Sequence, residues 1–77
     1  MPKYEILIGP RFLTLAGSVE ANHAEDAATL GAYRFLSCDG VARVAGAPSE
    51  EGIFRTTHGI EGGSLQPGEW FLVRGVG

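Results

Sequence analysis

Apolar and polar residues alternate in short runs along most of this chain, with glycine or proline between the runs. A period of two marks strands that turn one face to a core. Tyr4 to Ile8 is the first predicted strand, ended by Gly9 and Pro10. Arg11 to Ala16 is the second, with Arg11, Leu13 and Leu15 on one side and Phe12, Thr14 and Ala16 on the other. In "FLSCDGVARVAG", residues 35–46, Asp39-Gly40 lies between two alternating runs, which predicts a two-residue hairpin joining Tyr33–Ser37 to Val41–Ala45. A turn at Gly46 to Ser49 leads to a strand over Gly52–Thr57, rich in β-branched and aromatic residues. Residues 58–68 read as a loop with a type II turn at Pro67-Gly68, and Glu69 to Val76 is the last strand.

The stretch "GSVEANHAEDAATLG", residues 17–31, breaks this rhythm. Ser18 could cap a helix and Gly31 could end it, but apolar positions 19, 21, 24, 27, 28 and 30 give no clean helical stripe. A long loop with one helical turn is the expectation. The predicted fold is a single all-β domain over residues 1–77: a small barrel or sandwich of about six short antiparallel strands, with a long loop at 17–31.

Length sharpens the picture. For 77 residues, scaling laws give about 4,500 Å² of folded surface and about 7,200 Å² buried on folding. At ~25 cal/mol per Å² and ~60% apolar area, burial contributes about 110 kcal/mol, and ordering the chain costs about 115 kcal/mol. Small domains escape this balance through disulfides, metals or oligomerisation. Cys38 is the lone cysteine, so no internal disulfide forms, and Cys38, His23 and His58 do not make a four-ligand zinc pattern. Oligomerisation, or docking on a larger partner, is the remaining expectation.

Charge and hydropathy narrow the partners. Six basic and nine acidic residues give a net charge of −3, against the basic excess of a phosphate-gripping nucleic-acid binder. No apolar run approaches a membrane span, and the short apolar run in "MPKYEILIGP" is too brief for a signal-peptide core. The expectation is a protein made in a reducing cytosol, with no nucleic-acid or membrane partner.

Catalytic chemistry is sparse. The loop "HGIEGGSLQPGE" lacks the Gly-Lys-Ser/Thr of a phosphate loop. His58 or His23 could serve as a base, with Ser64, Ser37 or Cys38 as nucleophile and Asp39 or Glu61 as orienter, but none sits in a known signature. Glu50 and Glu51 are adjacent, so strand geometry sends them to opposite faces. No enzyme activity, cofactor or metal is expected.

The contact signals are stronger. If Phe71 and Val73 face the core, then Trp70, Leu72, Arg74 and Val76 share the other face of the last strand. That face is too apolar for water; either the strand is buried on both sides or one side meets a partner. Arg34, Arg43, Arg55 and Arg74 each sit among apolar residues. They make either a solvated outer face or a row of cross-strand or cross-subunit ion pairs with Glu50, Glu51, Glu61 or Glu69. The candidate partner interface is therefore Trp70, Leu72, Arg74 and Val76, with Arg34, Arg43 and Arg55.

Several pieces share one order with a known family: Gly31 to Phe35, Asp39-Gly40, Val44 to Pro48, Gly52 to Phe54, Gly68-Glu69 and Phe71 to Gly75. Over Leu30 to Gly77 the chain resembles the small β-rich decoration (cement) proteins of tailed-phage capsids. It departs from them in the bulk of Trp70 and Phe71 and in the His and Glu of the 58–68 loop. The resemblance implies a non-enzymatic virion protein, made in the host cytoplasm, that sits on the capsid exterior, often as a trimer, and clamps coat subunits. It transfers no functional residue. The alternative is a small oligomeric β-barrel binding module docked on a larger chain, with a pocket near His58 and Glu61.

Overall fold

The computed structural model describes residues 1–48, 50–60 and 68–76. Five strands form one antiparallel sheet: β1 (Lys3–Ile8), β2 (Thr14–Glu20), β3 (Val41–Gly46), β4 (Gly52–Thr56) and β5 (Trp70–Val76). Their order across the sheet is β2-β1-β5-β4-β3, so the first and last strands of the chain pair at its centre. One helix, α1 (Ala24–Phe35), connects β2 to β3 and packs on one face of the sheet. The chain is thus predominantly antiparallel β, as its alternation predicts. The sheet does not close into a barrel; β2 and β3 are its edges. Its surface of 4580 Å² is close to the value expected for a compact chain of this length.

The expected loop at 17–31 is corrected. β2 runs on to Glu20, and α1 passes through Gly31 to Phe35. The buried positions of α1 are Ala24, Ala27, Ala28, Gly31 and Ala32, a helical stripe made of the smallest side chains. The stripe goes unseen when Gly31 is taken as the helix end. Glycine is needed there for closeness: a β-carbon on Gly31 would lie 2.6 Å from Ile6 Cδ1. Gly17 plays the matching part on β2, where a β-carbon would collide with the Phe35 ring.

The Asp39-Gly40 hairpin is corrected with it. Tyr33 to Phe35 form the last turn of α1, not a strand, and Asp39-Gly40 leads from the helix into β3. Ser37, at φ 53, reverses the chain after the helix, while the Leu36 and Cys38 amides both donate to the Ala32 carbonyl at 3.0 Å. Asp39 N–H then donates to His58 at 2.7 Å, and Thr57 N–H to Gly40 at 3.0 Å, so the dipeptide docks against the end of β4. The second predicted strand also shifts. Arg11 and Phe12 lie in a tight left-handed turn (φ 58 and 54) within Pro10–Phe12, and β2 starts at Thr14.

Between helix and sheet lies the core, with Ile6, Phe54, Phe71 and Val73 as its largest fully buried apolar side chains. Phe54 and Phe71 stack at 6.0 Å between ring centroids. Thr56 is buried beside them, and its Oγ1 accepts from the Gly68 and Glu69 amides at 2.9 and 2.8 Å. Gly68 takes the positive φ (99°) expected of its turn. Ser49, Gly62-Gly63, Pro67 and the catalytic candidates Glu61 and Ser64 lie outside the described residues.

Candidate functional site

Strand alternation divides the side chains between two faces. Tyr4, Ile6, Phe54, Phe71 and Val73 turn to α1. Leu7, Ile53 and Leu72 occupy the alternate positions and turn the other way. The registers line these residues up: Leu15 pairs with Leu7, Leu7 with Leu72, Leu72 with Ile53, and Ile53 with Ala45. An apolar row thus crosses all five strands on the face opposite the helix. Leu72 and Ile53 are only partly exposed, so the face is not bare along its length. Leu7, in the middle of the row, is buried yet stands apart from the helix-side core. At the ends the row opens to solvent, with Leu15 55% exposed.

Polar and aromatic residues flank the row. On one side Arg74 pairs with Glu5 across β5 and β1, its Nη2 at 2.7 Å from Oε1. On the other side Trp70, 50% exposed, pairs in register with Arg55 of β4. Val76, 43% exposed, follows Arg74 on the same side of β5. Trp70, Leu72, Arg74, Val76 and Arg55 therefore gather on one open face.

Two of the predicted interface arginines do not join them. Arg34 lies in the last turn of α1, where with Lys3, Ser18, Val19 and Glu20 it lines a shallow polar groove of about 430 Å³. Arg43 points to the helix side: Nε and Nη2 donate to Glu25 Oε2 at 2.7 and 2.6 Å, Nη2 also reaches the Glu50 carbonyl at 3.1 Å, and the guanidinium lies 4.6 Å above the Phe54 ring centroid. It is neither a solvated outer residue nor a partner of the Glu50 carboxylate. The β3 bulge between Arg43 and Ala45 helps re-aim this edge. The ion pairs of Arg43 and Arg74 are with Glu25 and Glu5, partners that only the fold brings near.

The catalytic candidates are dispersed. Cys38 is buried and its Sγ donates to the Leu36 carbonyl at 3.2 Å, so the thiol points inward. His58 is exposed, with Nδ1 at 3.0 Å from Thr57 Oγ1, and Asp39 meets it through backbone atoms. His23 sits exposed at the start of α1. Among the described residues no three His, Cys, Asp or Glu side chains are placed to hold a metal, and the groove is not near His58. No described helix is long and apolar enough to cross a membrane.

Leu7, Leu15, Ile53 and Ala45 are the members of the row that sequence reading did not place at the interface. Each carried a signal, an apolar side chain at an off-core strand position. Only the pairing registers turn those separate residues into a row. Comparison with protein-family models, curated proteins and solved structures gives no match to this chain.

Proposed function

We propose that this chain is a non-enzymatic structural protein that works by protein–protein contact through the open face of its sheet. The supporting observation is the apolar row from Leu15 to Ala45, with a half-exposed Trp70 beside it. Apolar and aromatic side chains left at the surface, here Leu15 and Trp70, are the mark of an interaction site, and tryptophan with arginine is the composition that concentrates binding energy. Within this reading, the resemblance favours a phage virion component that decorates the capsid and binds coat subunits. It rests on the strand and turn pieces from Asp39 onward; the piece from Gly31 to Phe35 is helical here.

The experiment is co-sedimentation of the tagged chain with phage particles produced in the cells that carry its gene. The native chain is expected in the particle fraction, and Trp70→Ala and Leu72→Ser are expected to leave it. A chain that stays at the top of the gradient overturns the virion reading. Retained binding by both variants overturns the open face as the contact surface.

A further inference from the structure

We infer that the outer edge of β2 takes up an extended segment of a partner chain as an added antiparallel strand, with an acidic side chain of that segment held by Arg34. This contact is distinct from the open face and stands whether or not that face binds.

The ladder between β1 and β2 fixes which backbone groups are free. Ala21 N–H donates to the Pro2 carbonyl at 3.1 Å, so Pro2 and Ala21 oppose each other as a hydrogen-bonded pair. Bonded and non-bonded pairs alternate along an antiparallel ladder. Tyr4 and Val19 are therefore bonded, while Lys3 with Glu20 and Glu5 with Ser18 are not. The N–H and C=O groups of Ser18 and Glu20 point away from β1, to the side where β2 has no neighbour. Both residues are exposed, and among the described residues no hydrogen bond reaches these groups. Unpaired backbone groups on alternate residues are a template for a further strand. The register shift of this ladder lies between Ile6 and Leu7, outside the stretch. The far edge of the sheet is blunted instead: β3 carries a bulge between Arg43 and Ala45, and Arg43 Nη1 donates to the Ala45 carbonyl at 3.4 Å.

The side chains around the edge select the strand. The groove of about 430 Å³ lined by Lys3, Ser18, Val19, Glu20 and Arg34 lies here. Val19 belongs to the helix-side core, so the Ser18 and Glu20 side chains turn to the opposite face, and Lys3 with them. There Lys3 and Glu20 are cross-strand neighbours of opposite charge and balance each other. On the helix side stands Arg34, exposed and, among the described residues, without an ion pair or hydrogen bond. On an added strand, the residue opposite Val19 turns to that side. It sits in a non-bonded pair, where side chains approach most closely. A carboxylate at this position meets the guanidinium. The next residues lie beside Ser18 and Glu20 on the other face. Read antiparallel from Glu20 to Ser18, the segment that fits is Lys-Glu-Thr, with the lysine beside Glu20.

A second copy of β2 fits less well. A twofold axis through Val19 would bring both Arg34 side chains to the same side of the joined strands, and like charges select against that pairing.

The test is an amide NMR titration of the full chain with the acetylated, amidated peptide Thr-Val-Lys-Glu-Thr-Val-Thr, whose glutamate falls opposite Val19. A dissociation constant on the order of 1 mM is expected for so short a strand, so the titration runs to ~5 mM. The Ser18 and Glu20 amide protons should move downfield and exchange more slowly, while the Val19 amide, already bonded to Tyr4, should change little. Arg34→Glu should weaken binding at least ~10-fold, and replacing the peptide's glutamate with lysine should restore most of it in that variant alone. Ser18→Pro removes an outward donor and no bond of the β1–β2 ladder, so it should abolish binding while circular dichroism matches the native chain. If that proline disturbs the fold, the charge swap at Arg34 decides. No response at Ser18 and Glu20, equal binding of the two peptides to the native chain, or shifts confined to Trp70 and its neighbours would overturn the inference. Self-association of the free chain that Ser18→Pro removes would give the edge to a second copy and overturn it as well.

Discussion

Gly31 of α1 and Ile6 of β1 compete for one volume: a β-carbon on the glycine would lie 2.6 Å from both Cδ1 and Cγ1 of the isoleucine. Ile6 is fully buried, so its side chain has nowhere to retreat. The contact sets how closely the helix approaches the sheet, and the rest of the small-residue stripe follows from it. Gly31→Ala raises helix propensity by about 1 kcal/mol but overpacks the interface by about 1–3 kcal/mol. The two substitutions Gly31→Ala and Ile6→Val should therefore be coupled. Denaturant melts are expected to show the double variant more stable than the sum of the single changes, by about 0.5–2 kcal/mol. Additivity would mean that the helix simply moves away.

Thr56 closes a different part of the core. Its Oγ1 accepts from the Gly68 and Glu69 amides at the entry to β5. Thr56→Val keeps the shape and removes the acceptor. The expected loss is about 1–3 kcal/mol, with Thr56→Ser much milder. Amide exchange should speed up first at Glu69, whose N–H loses its hydroxyl acceptor, and less at Gly68, which also donates to the Thr56 carbonyl at 2.8 Å. Equal melting of the valine and native chains would contradict this role.

Arg43 ties β3 to α1 through Glu25 and lies over Phe54. Its side chain is 16% exposed, against 42% for Glu25, so the pair is screened on one side only. Arg43→Met should destabilise by about 1–2 kcal/mol, combining the lost pair with the lost cation–π contact. Arg43→Lys should recover less than half of that, because an ammonium cannot serve Glu25, the Glu50 carbonyl and the Phe54 face together. Thermal melts at low and high salt would check it; full rescue by lysine would assign the effect to charge alone.

Trp70 separates folding from association. A buried tryptophan costs about 3–5 kcal/mol when truncated, but this one is half-exposed on the open face. Trp70→Ala is expected to shift the chain's own stability by no more than about 1 kcal/mol while releasing it from the particle fraction. Phe71→Ala, at the adjacent fully buried position, should instead cost about 3–5 kcal/mol. Equal losses from the two variants, measured on the free chain, would place Trp70 in the core.

Alternation along the chain determined much of this. The antiparallel strands at 3–8, 41–46, 52–56 and 70–76 were legible because period-two patterning is a local property of the sequence. So was the apolar second face of β5, since Phe71 and Val73 on one side leave Trp70, Leu72 and Arg74 on the other. Three things were decided only by tertiary structure. Residues 24–35 are helical because a stripe of alanines and one glycine fits closely under the sheet; the spacing is present in the sequence, but side chains this small give it little hydrophobic weight. Asp39-Gly40 marks a change of direction, but whether a strand or a helix precedes it depends on that same packing. The open face exists because non-local pairing brings Leu15, Leu7, Leu72, Ile53 and Ala45 into one register, while sending Arg43 and Arg34 elsewhere. Side-chain direction is written in each strand; which strands become neighbours is settled by the free energy of the whole fold.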